Sequence, residues 1–168
     1  MSNKDNGATR LPSYKANRIN EPRHPRRVLS SHDYGRLEIT AFEEIDMLNP
    51  MRQWIAHLLS VAQILPSDEM PEDVITLGTT VRYRIDGDVQ QRRLLTLGHQ
   101  QVPNGQYVSV LTPVGLALIG RKPGETVEAE VFDGRKLRIE ISALENQPEA
   151  EARARMTQGR TDDGPEAA

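Results

Sequence analysis

The stretch VSVLTPVGLALIGRKPGETVEAEVF, residues 108–132, constrains this chain more than any other. A strand-like run meets Thr112-Pro113, and Val114, Leu116, Ala117, Leu118 and Ile119 follow with no charged residue among them. Threonine is a good helix N-cap, and proline at the first helical position forfeits no hydrogen bond, because that N–H has no helical partner anyway. Gly120 supplies the left-handed residue that ends a helix. Pro123-Gly124 suits the two central positions of a tight turn. A helix this apolar has to be covered. The stretch therefore predicts strand, short helix, turn and strand, with the helix laid on a sheet. Every residue type in it has a structural task, so it reads first as scaffold and not as a ligand site.

On either side of the short helix the apolar period is two. Val74-Ile75, then Val81, Tyr83 and Ile85, alternate as a strand does. Asp86-Gly87-Asp88 is a hairpin turn, and the return strand runs from Val89 to Leu97. A loop with Pro103, Asn104 and Gly105 leads to a strand over 107–111. Further strands are expected over 126–132 and 136–144, joined by Asp133-Gly134. About five strands, mostly antiparallel and meander-connected, with one short helix, make an α+β domain over residues 67–147.

Before Pro66 the period is helical. Ser30 as N-cap places Asp33 at N3, a relative of the capping box. Tyr34, Leu37, Ala41, Ile45 and Leu48 then recur at spacings of three and four. Gly35 costs that helix about 1 kcal/mol relative to alanine. Asn49-Pro50 restarts the helix, and a second stripe follows through Met51, Trp54, Leu58, Val61 and Leu65. Two helices of about 15 residues, each about 22 Å long, predict a short antiparallel hairpin or coiled coil over 27–66.

The ends have a different composition. Lys4, Arg10, Lys15, Arg18, Arg23, Arg26 and Arg27 face only Asp5 and Glu21, so residues 1–26 read as a disordered basic arm. Such an arm makes weak nucleic-acid contact through phosphates a further expectation. Residues 148–168 read as a disordered tail with a frayed helix over 149–156. The chain has no cysteine, which removes disulfides, thiolate metal sites and cysteine nucleophiles. It has no apolar run of membrane length and its first residues lack a secretion signal's apolar stretch. A cytoplasmic protein with no membrane contact is expected. With aromatics at 4% of residues, a base-stacking platform is not.

The order of motifs resembles the C-terminal domain of the bacterial transcript-cleavage factors GreA and GreB. The residues that carry the likeness are Thr112-Pro113, Ala117-Leu118-Ile119-Gly120, Lys122-Pro123-Gly124-Glu125 and Val127. The blocks at residues 70–77 (MPEDVITL) and 144–150 (LENQPEA) resemble, more narrowly, the regulator of nucleoside diphosphate kinase (Rnk) type within that family. The resemblance covers roughly residues 28–150. It implies an FKBP-like sheet domain, a short helical hairpin in place of the long Gre coiled coil, and RNA polymerase as partner. In Gre factors the coiled-coil tip enters the polymerase secondary channel and presents acidic residues that hold a catalytic magnesium. Rnk-type proteins share the fold but are not cleavage factors.

Three surfaces are candidates for contact. Thr112, Pro113, Arg121, Lys122 and Glu125 surround the short helix. Glu43, Glu44, Asp46, Leu48, Asn49 and Arg52 lie at the expected hairpin tip. Arg82, Arg84, Arg92 and Arg93 would form a basic patch if the two hairpin strands pair. Glu43 and Asp46 share a helix face, and oxygen ligands suit magnesium, but a solvated face explains them as well. His24, His32, His57 and His99 are scattered without metal-ligand spacing. The expected function is therefore a non-enzymatic polymerase-binding regulator, monomer or homodimer, with no metal or cofactor. The alternatives are a transcript-cleavage factor using Glu43, Glu44 or Asp46, and an FKBP-like interaction module with weak prolyl isomerase activity.

Overall fold

The computed structural model describes residues 26–98 and 105–160. The basic arm up to residue 25 with its His24, the segment 99–104 with His99 and Pro103-Asn104, and residues 161–168 lie outside the described residues.

The chain opens with strand β1 (Val28–Ser30), helix α1 (Ser31–Ile39), helix α2 (Pro50–Val61) and strand β2 (Gln63–Leu65). Ser30 caps α1, its hydroxyl accepting from the Asp33 N–H at 3.1 Å. The helix then widens into a π-helical turn over Thr40–Glu44, and Ile45 is already extended. The first helical run thus stops short of Leu48. Asp46 ends it by a local route: its carboxylate accepts from the Leu48 N–H at 2.8 Å and its carbonyl from the Asn49 N–H at 3.0 Å. Asn49 caps α2 by accepting from the Met51 N–H at 3.0 Å, with Pro50 at N1 as expected.

Helix α2 buries Met51, Ile55, Leu58 and Leu59, not the expected line through Trp54, Val61 and Leu65. It also ends earlier. Ala62 turns extended, the Gln63 N–H donates to the Arg27 carbonyl at 2.8 Å, and β2 pairs in parallel with β1. Backbone pairing with a segment far off in the sequence takes over the hydrogen bonds that three more helical residues would have made.

Five strands form the main sheet: β3 (Thr80–Ile85), β4 (Gln91–Thr96), β5 (Tyr107–Ser109), β6 (Thr126–Glu130) and β7 (Lys136–Glu145), in the order β5-β4-β3-β7-β6. The β3–β4 hairpin turns on Asp86-Gly87, both at positive φ (50° and 76°), which matches the right-handed twist of the flanking strands. Three of the four strand pairs are antiparallel; β5 instead runs parallel to β4. The expected meander fails there: β5 lies parallel to β4, so both strands start at the same end of the sheet. Val74-Ile75 is buried but not in a strand; Ile75 exchanges backbone hydrogen bonds of 2.8 Å with Gly120 and Arg121.

Helix α3 (Pro113–Leu118) is the predicted apolar helix, and Leu116, Ala117 and Leu118 are buried. One continuous core joins the two parts of the chain. Leu29, Leu37, Met51 and Ile55 from the helical segment share it with Val81, Tyr83, Leu95 and Ile139 from the sheet and Leu118 from α3.

The tail expected to be disordered, with a frayed helix over 149–156, holds a longer helix as far as residue 159: α4 (Pro148–Gly159). It carries no buried residue, so no apolar period marks it. Its anchor is polar. Gln147 is 3% exposed, and its amide donates to the carbonyls of Pro71 (2.8 Å) and Val74 (2.6 Å). Arg153 donates to the Asp68 carbonyl at 3.2 Å.

Candidate functional site

Helix α3 is held by its cap. The Thr112 hydroxyl accepts from the Gly115 N–H at 3.2 Å and donates to the Ser109 carbonyl at 2.6 Å. Thr112 itself is solvent-exposed, so its role here is to seat the helix. Thr112→Ala is expected to lower stability by about 0.5–2 kcal/mol, read as a shift of the urea midpoint at unchanged slope.

Pro113 and Leu116 of α3 face Trp54 and Leu58 of α2 across a cleft of about 500 Å³. Above it the Trp54 indole stacks on Phe132 from the β6–β7 turn, ring centroids 5.4 Å apart and ring planes nearly parallel. Arg26, Arg27 and Arg121 line it with Glu128 and Glu130. The Arg27 guanidinium donates to the Leu116 carbonyl at 2.6 Å. Burial, then the neighbouring Arg121, pull its pKa down to about 10 against the opposing pull of Glu125. Arg121 is likewise lowered by burial, with the Glu125 carboxylate at 3.8 Å countering. Arg121 thus belongs to the wall of the cleft, with Glu125 as its ion-pair partner. Lys122 reaches outward to Asp73 at 3.1 Å, an exposed pair worth little to stability.

Of the four arginines expected to form one basic patch, Arg93 faces away from the other three. Arg82 and Arg92 stand opposite each other on β3 and β4 and share Glu145 at 2.6 and 2.7 Å. The Arg92 hydrogen bond, with help from Arg82, holds the Glu145 carboxyl below its ordinary range. Arg84 lies across from Glu140 on β7. Arg93, one residue from Arg92, projects to the other face of the strand, where it donates to Gln91 at 3.3 Å. Alternation along β4 separates what the sequence lists side by side.

The α1–α2 junction is more informative. Its three candidate carboxylates do not converge. Glu44 accepts from the Thr40 hydroxyl at 2.9 Å, and Asp46 is occupied with the Leu48 N–H. Among the described residues no group of three or more His, Asp or Glu side chains is placed to hold a metal ion. Apolar side chains project instead: Leu48 is 92% exposed, Met47 79% and Phe42 50%. The Arg52 guanidinium lies 5.5 Å over the Phe42 ring. Leu48 and Arg52 were legible as candidates; Phe42 and Met47 were not, although both stand off the buried stripe, which is the signal that would have found them.

The aromatics of the sheet region are dispersed. Tyr83 is in the core, Tyr107 is in the edge strand β5, and Phe132 is taken up by Trp54. His57 lines the α2–α3 cleft, and His32 lies by α4.

Residues 70–146 match the family described as transcription elongation factor, GreA/GreB, C-terminal. Over 128 residues the chain is 32% identical to the regulator of nucleoside diphosphate kinase of Escherichia coli K12, a match that spans 75% of this chain and 93% of that protein. The chain belongs to the GreA/GreB family. Within this family it is also 31% identical over 81 residues to the transcription elongation factor GreA of Clostridium kluyveri, but that match takes in only 51% of the GreA chain. A GreA/GreB elongation factor structure from Nitrosomonas europaea superimposes with a TM-score of 0.58 at 30% identity, covering 73% of this chain and 99% of that one. The motif block from Thr112 to Val127 lies inside the matched region.

Proposed function

We propose that this GreA/GreB-family protein is a transcription regulator of the Rnk type that binds RNA polymerase at or near the secondary channel and supplies no catalysis of its own. The observation that carries the reading is the α1–α2 junction. It exposes Phe42, Met47 and Leu48, while Glu44 and Asp46 are turned onto Thr40 and the Leu48 backbone. A hairpin tip of that kind suits apolar anchoring in a partner's groove better than oxygen ligation of a cation. The surface around Pro113 and Lys122 is the second contact, on the sheet side.

The test is binding of the purified protein to core RNA polymerase with a Gre factor as competitor. Displacement by the Gre factor is expected, and a Phe42→Ser, Leu48→Ser variant should bind about tenfold more weakly or worse. Both side chains are exposed, so the variant keeps its fold. Absence of binding at micromolar concentration would remove polymerase as the partner. Transcript cleavage that disappears in a Glu43→Ala, Glu44→Ala, Asp46→Ala variant would establish the cleavage-factor reading instead. Turnover of a prolyl peptide above background would do the same for the isomerase reading.

A further inference from the structure

Two carboxylates from opposite ends of the chain converge on adjacent residues of one loop. Asp33 sits at N3 of α1, where it could reach back to its own cap residue. It also reaches across the fold: it is 1% exposed, and its Oδ2 accepts from the Leu77 N–H at 2.9 Å. Glu149, in the first turn of α4, accepts from the Thr76 hydroxyl at 2.6 Å. Thr76 is tied in turn to Thr79, hydroxyl to hydroxyl at 3.1 Å, and the Thr79 hydroxyl accepts from the Thr76 N–H at 3.1 Å. The loop between Thr76 and Thr79 brings no charge of its own. The charged groups around this contact are His32 beside Asp33 on α1, Glu149 and Arg153 on α4, and Asp68 in the turn over Ser67–Glu69.

We propose that Asp33 and Glu149 form a proton-operated latch that fastens α4 and the 76–79 loop to α1 more tightly when the pair holds one proton. With both groups ionised, two like charges face each other with one of them out of water. Protonating Asp33 removes that repulsion and the cost of burying a charge, and its carbonyl oxygen still accepts from Leu77. The Asp33 carboxyl is pushed up from 3.8 to about 6, first by burial, with Glu149 pushing the same way and the Leu77 N–H, His32 and the Ser30 hydroxyl opposing. The sign follows. A carboxyl that titrates higher in the closed state than in the open one favours closure below its open-state pKa. That advantage fades as pH rises through about 6. Between pH 5 and 7.5 the opening constant of the latch should rise by up to about tenfold.

Hydrogen–deuterium exchange of the full chain, corrected for intrinsic exchange rates, tests this at α4 and at residues 74–79. Protection there should fall as pH rises from 5 to 7.5. Asp33→Asn should flatten the profile, because asparagine still accepts from Leu77 but does not titrate. Glu149→Gln, at the solvent-facing end of the contact, should move the midpoint to lower pH. Should Asp33→Asn not fold, the Asp33 carboxyl of the wild-type chain can be followed directly by carbon-13 NMR. A midpoint near 4, or an α4 profile in Asp33→Asn identical to wild type, would overturn the latch.

Discussion

Gly115→Ala should destabilise the protein by about 3 kcal/mol or more, enough to consume a large part of a small domain's stability. A Cβ built on Gly115 would lie 1.9 Å from the Ser109 carbonyl oxygen and 2.5 Å from its carbon. Both are backbone atoms, so no side chain can swing aside. The same carbonyl accepts from the Thr112 hydroxyl and N–H, so moving it also loosens the cap of α3. Helix propensity works in the opposite direction, since alanine is better than glycine in a helix by about 1 kcal/mol. The steric term is the larger. Gly35, in α1, is the control: nothing lies within 4 Å of its Cβ position. Gly35→Ala should stabilise by about 0.5–1 kcal/mol. Urea unfolding of the two variants should thus give shifts of opposite sign. Two shifts of the same sign, or a Gly115→Ala midpoint near wild type, would mean that α3 does not sit as close to β5 as described.

The second large effect is expected at Ile55, which is fully buried on α2. Truncation to alanine should cost about 2–5 kcal/mol, the transfer term plus the cavity left behind. Its interest lies in how the loss is distributed. Ile55 belongs to the same core as Val81, Leu95 and Ile139 of the sheet. Unfolding of Ile55→Ala, followed at Trp54 and by far-ultraviolet dichroism, should therefore be one coincident transition at lower urea. Two separated transitions, with the sheet surviving at the wild-type midpoint, would instead make the helical segment an independent unit.

Much of the scaffold was legible because its signals are local. The Thr112 cap with Pro113, the Asn49 cap with Pro50, the Asp86-Gly87 turn and the Pro123-Gly124 turn each depend on the φ preference or capping group of one or two residues. Alternation then placed β3, β6 and β7 to within a few residues. The same block, Thr112 to Val127, carried the family resemblance. The candidate surfaces were less legible. Leu48 and Arg52 stand at the exposed junction as expected, but Phe42 and Met47 lie off the apolar stripe, where periodicity carries no signal. Arg93 is set apart from Arg82, Arg84 and Arg92 because neighbours in a strand face opposite ways.

The sequence by itself determined which segments turn, cap and bury, since those choices are decided by side-chain chemistry within a few residues. Only the tertiary structure decided where partners distant in the chain meet. The parallel pairing of β1 with β2 ends α2 early, and β5 is delivered in parallel to β4. Gln147 fixes an otherwise polar helix through two carbonyls more than 70 residues away in the chain. Asp33 reaches past its own helix cap to Leu77, 44 residues on. A hydrogen bond between distant residues leaves no periodic trace in the chain, because one donor and one acceptor suffice and neither has to repeat.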